Sequence, residues 1–141
     1  MPLGPRERKS SMLAAFAIAA FASPAFAHHS FAMFDKNRNV ELLGVVARFE
    51  WTNPHSYIVI SVTESGKQQE YTIETGAPGS LIRLDDRWRS DIIKPGDQVK
   101  VVINPLKSGK PGGALVDLIT PDGHVLGQHA PKPDLPPLTR H

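Results

Sequence analysis

The stretch YIVISVTESGKQQEYTIET, residues 57–75, decides the predicted fold. Apolar and polar residues alternate with a period of two over residues 57–63 and again over residues 70–75. This alternation is typical of β-strands with one buried face, and Ser65-Gly66 lies where a tight turn would join two such strands. The stretch therefore predicts an antiparallel β-hairpin, with Glu74 among the residues that face solvent.

A longer strand is predicted before this hairpin, beginning at Glu41. Its apolar side chains recur at every second position and are expected on one face: Leu43, Val45, Ala47, Phe49 and Trp51. Gly44 indicates a bend or a bulge, as a sheet needs where it curls into a small barrel. Pro54 ends the strand because proline cannot donate a ladder hydrogen bond. His55 is therefore predicted to lie in a turn between the first two strands.

A short helix is predicted after the hairpin, over residues 80–84, and further strands over residues 99–104 and 114–120. Residues 124–127 form a short candidate strand. A helix between the third and fourth strands is the order of an OB barrel. We therefore expect an all-β protein, a small OB-like Greek-key barrel of five to six strands, with a generic β-sandwich fragment as the alternative.

The first 27 residues have the three parts of a cleaved secretory signal peptide. Three basic residues within the first nine precede an uncharged apolar run from Met12 to Ala22, and small residues follow up to Ala27. The apolar run is about half the roughly 20 residues that a membrane-spanning helix needs. We expect cleavage after Ala27, no stable membrane anchor afterwards, and a periplasmic or secreted protein.

Cleavage after Ala27 leaves 114 residues, a length typical of one small domain. These residues hold 13 basic and 13 acidic side chains and have no net charge, so a nucleic-acid partner is not expected. The predicted organisation is a leader over residues 28–39, the barrel over residues 40–127 and a proline-rich, disordered tail over residues 128–141. The oligomeric state stays open at this point.

The chain shows no sequence motif typical of an enzyme, neither a nucleophile elbow nor a His-Glu-x-x-His zinc motif nor a phosphate-binding loop. We therefore expect a binding module rather than an enzyme. The chain has no cysteine, which excludes thiolate ligands, and its six histidines all follow the predicted cleavage site. Any metal site has to use imidazole, carboxylate, thioether or terminal amine ligands, a set that favours copper, zinc or nickel.

The predicted cleavage would place His28 at the new amino terminus, beside His29. The free amine and imidazole of His28, with the imidazole of His29, would form a chelate that suits Cu(II). His55 is a third candidate ligand because its turn can present it to this terminus. The alternatives are an unliganded terminus and a His55 that only hydrogen-bonds the backbone.

Two aromatic residues, Trp51 and Tyr57, suggest a different kind of site. OB barrels often bind ligands on the face of strands two and three, where aromatic side chains provide stacking surface. The alternative function is therefore a barrel that binds an envelope protein or a small ligand without a metal. Core packing is the structural alternative for these side chains.

Three segments of the chain, 28–35, 49–56 and 106–113, resemble a family of small exported bacterial proteins catalogued only as a domain of unknown function. The histidine-pair start and the Trp-Thr-Asn-Pro-His stretch are the most specific parts of the resemblance. The family pattern often has His-Pro-Leu where this chain has Asn104-Pro105-Leu106. The resemblance implies export but no established activity.

Overall fold

The structure, a computed structural model, describes Met1 and residues 31–129 and 131–139. The predicted signal peptide, apart from Met1, and the histidine pair lie outside these residues. Within them, the chain forms six β-strands, a single α-helix and one 3-10 turn. The strands are β1 (Val40–Glu50), β2 (Ser56–Glu64), β3 (Lys67–Thr75), β4 (Gln98–Pro105), β5 (Gly112–Ile119) and β6 (Val125–Gly127), the helix is α1 (Pro78–Leu84), and the 3-10 turn is Phe31–Met33.

Strand pairing closes the first five strands into a barrel. β1 lies between β2 and β4, β2 pairs with β3, and β4 pairs with β5, all antiparallel. A short parallel pairing of residues 72–74 of β3 with residues 112–114 of β5 completes the circle. α1 lies between β3 and β4 in the chain, and β6 extends the sheet beyond β5. The prediction of an OB-like Greek-key barrel is confirmed.

β1 buries a different set of side chains from the one that the sequence predicts. Leu42 and Val46 face the core, whereas Leu43 and Val45 are 46% and 44% exposed. The register of β1 against β2 shifts between Val46 and Arg48, which is a β-bulge. Because one extra residue in a strand reverses the side-chain alternation beyond it, the apolar residues on either side of the bulge do not share a face.

One end of the barrel is closed by α1 and the loop that follows it. Leu81 of α1 and Trp88 of the loop are buried in the core, at 0% and 1% exposure. The half-buried ring of Trp51 stacks on Trp88, with ring centroids 6.3 Å apart and planes at 18°. Because α1 follows directly after β3, this closed end lies at the carboxyl end of β3.

The leader and the tail both pack against the barrel. Phe34 is buried and forms an isolated β-bridge with Leu106, so the end of the leader is attached beside the loop between β4 and β5. Residues 131–139 have no helix or strand, yet the amides of Leu135 and Leu138 donate to carbonyl oxygens of the turn after β5. These two hydrogen bonds join the tail to the turn after β5. None of the helices formed by the described residues is long and apolar enough to span a membrane.

Candidate functional site

A cleft of about 370 Å³ opens on the outside of the barrel, where β3 and β5 separate. The parallel pairing ends at Glu74 and Ala114, after which β5 pairs with β6 instead. The side-chain amide of Gln128, just after β6, donates a hydrogen bond to the Thr75 hydroxyl at 2.6 Å. This contact spans the gap between β3 and β5. The sheet geometry therefore leaves a concave site between β3, β5 and the end of β6.

His55 and Glu74 lie side by side in one wall of this cleft. The His55 Nδ1 lies 2.7 Å from the Glu74 Oε1, with the side chains 35% and 17% exposed. The turn that carries His55 is held by a hydrogen bond from the Thr52 hydroxyl to the His55 carbonyl oxygen at 2.9 Å. The β2–β3 register, which pairs Ser56 with Thr75, brings Glu74 beside the histidine. The two side chains are thus positioned by the hairpin and by the preceding turn.

The contact with Glu74 has a consequence for the chemistry of the His55 ring. Nδ1 is the ring nitrogen that contacts Glu74, so Nε2 is the ring nitrogen outside this contact. Among the described residues, Nε2 of His55 has no hydrogen-bond partner. The cleft therefore contains an imidazole that contacts a carboxylate through Nδ1 and has no described hydrogen-bond partner at Nε2.

Other parts of the chain provide the remaining walls of the cleft. Lys36 of the leader, Asn104 at the end of β4 and His129 after β6 line it together with His55. The side-chain amide of Asn104 donates to the backbone carbonyl oxygen of Arg38 at 2.9 Å, and this hydrogen bond holds the leader against β4. Asn104 is also the position at which the chain departs from the family pattern described above. The leader, the first turn and the end of β6 therefore converge on one site.

Of the three predicted metal ligands, His55 is described and lines the cleft, whereas His28 and His29 lie outside the described residues. Within residues 31–129 and 131–139, no group of three or more histidine, aspartate or glutamate side chains is arranged to hold a metal ion. The described part of the cleft thus provides one histidine–carboxylate pair. His129 lines the same cleft, but among the described residues it does not join this pair in a group of three potential metal ligands.

Trp51 and Tyr57, the predicted ligand-binding aromatics, lie near the cleft but do not line it. Trp51 packs against the core through Trp88. Tyr57 is half-buried and pairs across the strands with Glu74 and Glu50. Burial, and then the negative charges of Glu74 and Glu50, raise the pKa of the Tyr57 phenol, so it stays protonated and can donate a hydrogen bond.

Sequence reasoning missed Glu74, Lys36, Gln128 and His129 as cleft residues. For Glu74 a signal was present, because a hairpin centred on Ser65-Gly66 sets the register that pairs Glu74 with Tyr57, two residues after His55. The other three residues come together only through barrel closure and the docking of the leader. No local pattern in the sequence reports these contacts.

A second charged cluster attaches the tail, away from the cleft. Asp134 accepts hydrogen bonds from Arg87 at 2.6 Å and from His124 at 2.8 Å, and the pKa of Asp134 is lowered, mainly by the His124 contact. Arg87 also contacts the buried Asp85 through two nitrogens, and this hydrogen bonding lowers the pKa of Asp85. The Arg87 side chain further donates to the Val125 carbonyl oxygen, so the tail and Arg87 together cover the outer edge of β6.

Comparison with known proteins gives a family but no activity. The model of DUF6152, a family of unknown function, matches residues 15–115, which include the leader, the cleft histidine and most of the barrel. We found no matching curated protein and no matching solved structure. The family resemblance expected from the sequence is confirmed, and the chain belongs to DUF6152, a family of unknown function.

Proposed function

We propose that this small β-barrel domain is an exported binding module that takes a metal ion, copper, at the cleft beside His55. In this proposal signal cleavage after Ala27 frees the amine of His28, and the ligands are His28, His29 and His55. The observation that carries the proposal is the His55 ring, which Glu74 orients at 2.7 Å while its Nε2 has no partner among the described residues.

The histidine–carboxylate pair is the arrangement that metal-binding histidines commonly have. A ligating histidine usually donates its second ring N–H to a carboxylate or carbonyl group, which fixes the tautomer and makes the ligating nitrogen more basic. Glu74 is in the position to do this for His55.

The path of the leader supports a contribution from the new amino terminus. Phe34 is fixed at Leu106, and Lys36, two residues further on, lines the cleft. Phe34 is the sixth residue after His28, and six residues of chain span at most about 20 Å. A new terminus at His28 would therefore lie no farther than this from Phe34. An amine and two imidazoles on adjacent residues provide a nitrogen set that Cu(II) prefers.

The module would store, deliver or sense copper in the periplasm or outside the cell, without acting as an enzyme. After cleavage the domain has no net charge and so no broad positive surface for a nucleic-acid partner. A cleaved signal peptide would leave no stable membrane anchor.

The test compares two forms of the protein, one beginning at His28 and one with two additional residues before His28, by calorimetric titration with Cu(II). The form that begins at His28 is expected to bind one equivalent at least about tenfold more tightly, because the extension removes the free amine from the chelate. Glu74→Gln in the first form should weaken binding by about 10 to 100-fold. Equal Cu(II) affinity of the two forms would show that the free amine of His28 is not a ligand.

A barrel that binds a small ligand or an envelope protein without metal is the second candidate. The observation that favours it is Tyr57, a half-buried phenol on the outer face of β2 beside the cleft. Trp51 would then act by supporting the turn before β2, since it packs on Trp88. Under this candidate, capture of a partner from envelope extract is lost with Tyr57→Ala and is unaffected by a chelator. Loss of capture on chelation would favour the copper site instead.

A further inference from the structure

A second concave site lies at the end of the barrel opposite α1 and Trp88. It encloses about 340 Å³ between the start of β1, the β2–β3 hairpin and the loop between β4 and β5. We call it the barrel mouth, defined by Arg38, Glu64, Gln69, Tyr71, Ile103 and Lys110, all of which line it. Small-molecule sites commonly occupy barrel mouths and have volumes from about 300 Å³ upward. The mouth is separate from the His55 cleft, and this inference does not rest on the copper proposal.

The charges of the barrel mouth are unbalanced. Arg38 and Lys110 line it, and among the described residues neither side chain has a carboxylate within 4.0 Å. The acidic lining residue, Glu64, instead accepts a hydrogen bond from the Tyr71 hydroxyl at 3.0 Å. Two cations against one carboxylate leave the mouth with a net positive charge.

The backbones that carry the two cations are held in place. The Arg38 amide donates to the Asp35 carbonyl oxygen, and the Arg38 carbonyl oxygen accepts from Asn104 at 2.9 Å. In the loop between β4 and β5, the Leu106 amide donates to the Gly112 carbonyl oxygen and the Gly109 amide to that of Leu106. Sites that are fixed before the ligand arrives lose less entropy on binding.

Apolar residues form part of the lining of the mouth, beside the charged ones. Ile103 is 1% exposed and belongs to the barrel core, and Tyr71 packs against the same core while its ring lines the mouth. An apolar surface beside two cations fits a molecule with a flat or aliphatic body and one negative group. A guanidinium can bind a carboxylate through two parallel hydrogen bonds, which Lys110 would supplement with its charge.

We propose that the barrel mouth binds a small organic carboxylate, with its apolar body on Tyr71 and Ile103 and its carboxylate between Arg38 and Lys110. Gln69 lines the mouth as well and provides an amide for a second polar group of the ligand. The ligand class is therefore an amphiphilic or aromatic acid.

The test uses benzoate and its neutral isostere benzamide as probes, titrated into ¹⁵N-labelled protein in metal-free buffer and followed by amide chemical shifts. Benzoate is expected to cause saturable shifts at Tyr71, Ile103 and the loop of Lys110, and to bind about tenfold more tightly than benzamide, because only benzoate pairs with the cations. The variant Arg38→Gln with Lys110→Gln should bind the two probes equally.

The matched control is Lys67→Gln, which removes an exposed cation from the same hairpin without touching the mouth. It should leave benzoate binding unchanged. Arg38 and Lys110 are exposed, so their substitution leaves the dispersion of the amide spectrum intact and tests binding rather than folding. Each of three results would overturn the proposal. These are an equal affinity of the unmodified protein for benzoate and benzamide, chemical-shift changes that map away from the mouth, and no saturable change with benzoate.

Discussion

Trp88 links the stability of the barrel to the position of the cleft, and its substitution provides a quantitative test. The side chain is 1% exposed, stacks on Trp51 and has a buried Nε1 without a hydrogen-bond partner among the described residues. Trp51 in turn leads into the turn that carries His55. We compare Trp88→Ala with Trp88→Phe, because only the second keeps an aromatic ring against Trp51.

The expected magnitudes follow from these contacts. Truncating a buried tryptophan to alanine costs about 3–5 kcal/mol of unfolding free energy, since packing is lost and a cavity remains. The change to phenylalanine removes fewer buried carbon atoms, at a cost of about 2 kcal/mol. It also removes an unpaired buried N–H group, whose burial costs about 1–3 kcal/mol. We therefore expect Trp88→Phe to change stability by about 1 kcal/mol or less.

Urea denaturation followed by far-ultraviolet circular dichroism measures both values, with Arg89→Ala as the control. Arg89 is the next residue and forms an ion pair with Asp91 in which both side chains are 65% exposed. The loss of this exposed ion pair should change the free energy of unfolding by about 0.5 kcal/mol or less. Trp88→Ala should additionally weaken Cu(II) binding, because the turn before His55 loses its support. If Trp88→Phe were as destabilising as Trp88→Ala, the description of Trp88 as a packed ring with an unpaired N–H would be refuted.

Three further predictions concern pH, sheet packing and the tail. Asp85→Asn is expected to lower the free energy of unfolding at neutral pH, because Arg87 depresses the pKa of Asp85 in the folded protein. The difference from the unmodified protein should persist above about pH 3.8 and shrink as the pH falls below it, which urea denaturation at several pH values will test. Gly113→Ala should lower the free energy of unfolding by about 1–3 kcal/mol, because its Cβ would meet the β4 backbone. Gly79→Ala in α1 has room for a Cβ and should raise it by about 0.5–1 kcal/mol, so an equal change of melting temperature in the two variants would contradict this. Asp134→Ala should accelerate hydrogen exchange at the backbone amides of the tail and of β6, and unchanged exchange there would show that Asp134 does not attach the tail.

The fold was largely predictable because its signals are local. Alternation over residues 56–75, the turn at Ser65-Gly66 and the short helix at its place in the chain order were sufficient for an OB-like barrel. The buried face of β1 was not predictable from alternation alone, because the bulge between Val46 and Arg48 interrupts it. Gly44 indicated an irregularity, but it lies on the inner face, where a Cβ would meet the Ser61 carbonyl oxygen at 2.9 Å.

The candidate site was predictable only in part. His55 could be placed in a turn because Pro54 ends the preceding strand, and it lines the cleft. Glu74 was interpreted as solvent-facing because alternation assigns it to the outer face, whereas its carboxylate is largely covered and contacts His55. His129 carries no local signal, since barrel closure and the position of β6 bring it to the cleft.

The most direct test of the copper proposal is pulsed EPR of the protein that begins at His28, loaded with one equivalent of Cu(II). The account predicts modulation from the imidazoles of His28, His29 and His55, and the loss of one imidazole in His55→Ala. His124→Ala is the control, because His124 contacts Asp122 and Asp134 away from the cleft and should leave the spectrum unchanged. An identical imidazole contribution in the unmodified protein and in His55→Ala would contradict the proposal that the cleft and the new amino terminus form one copper site.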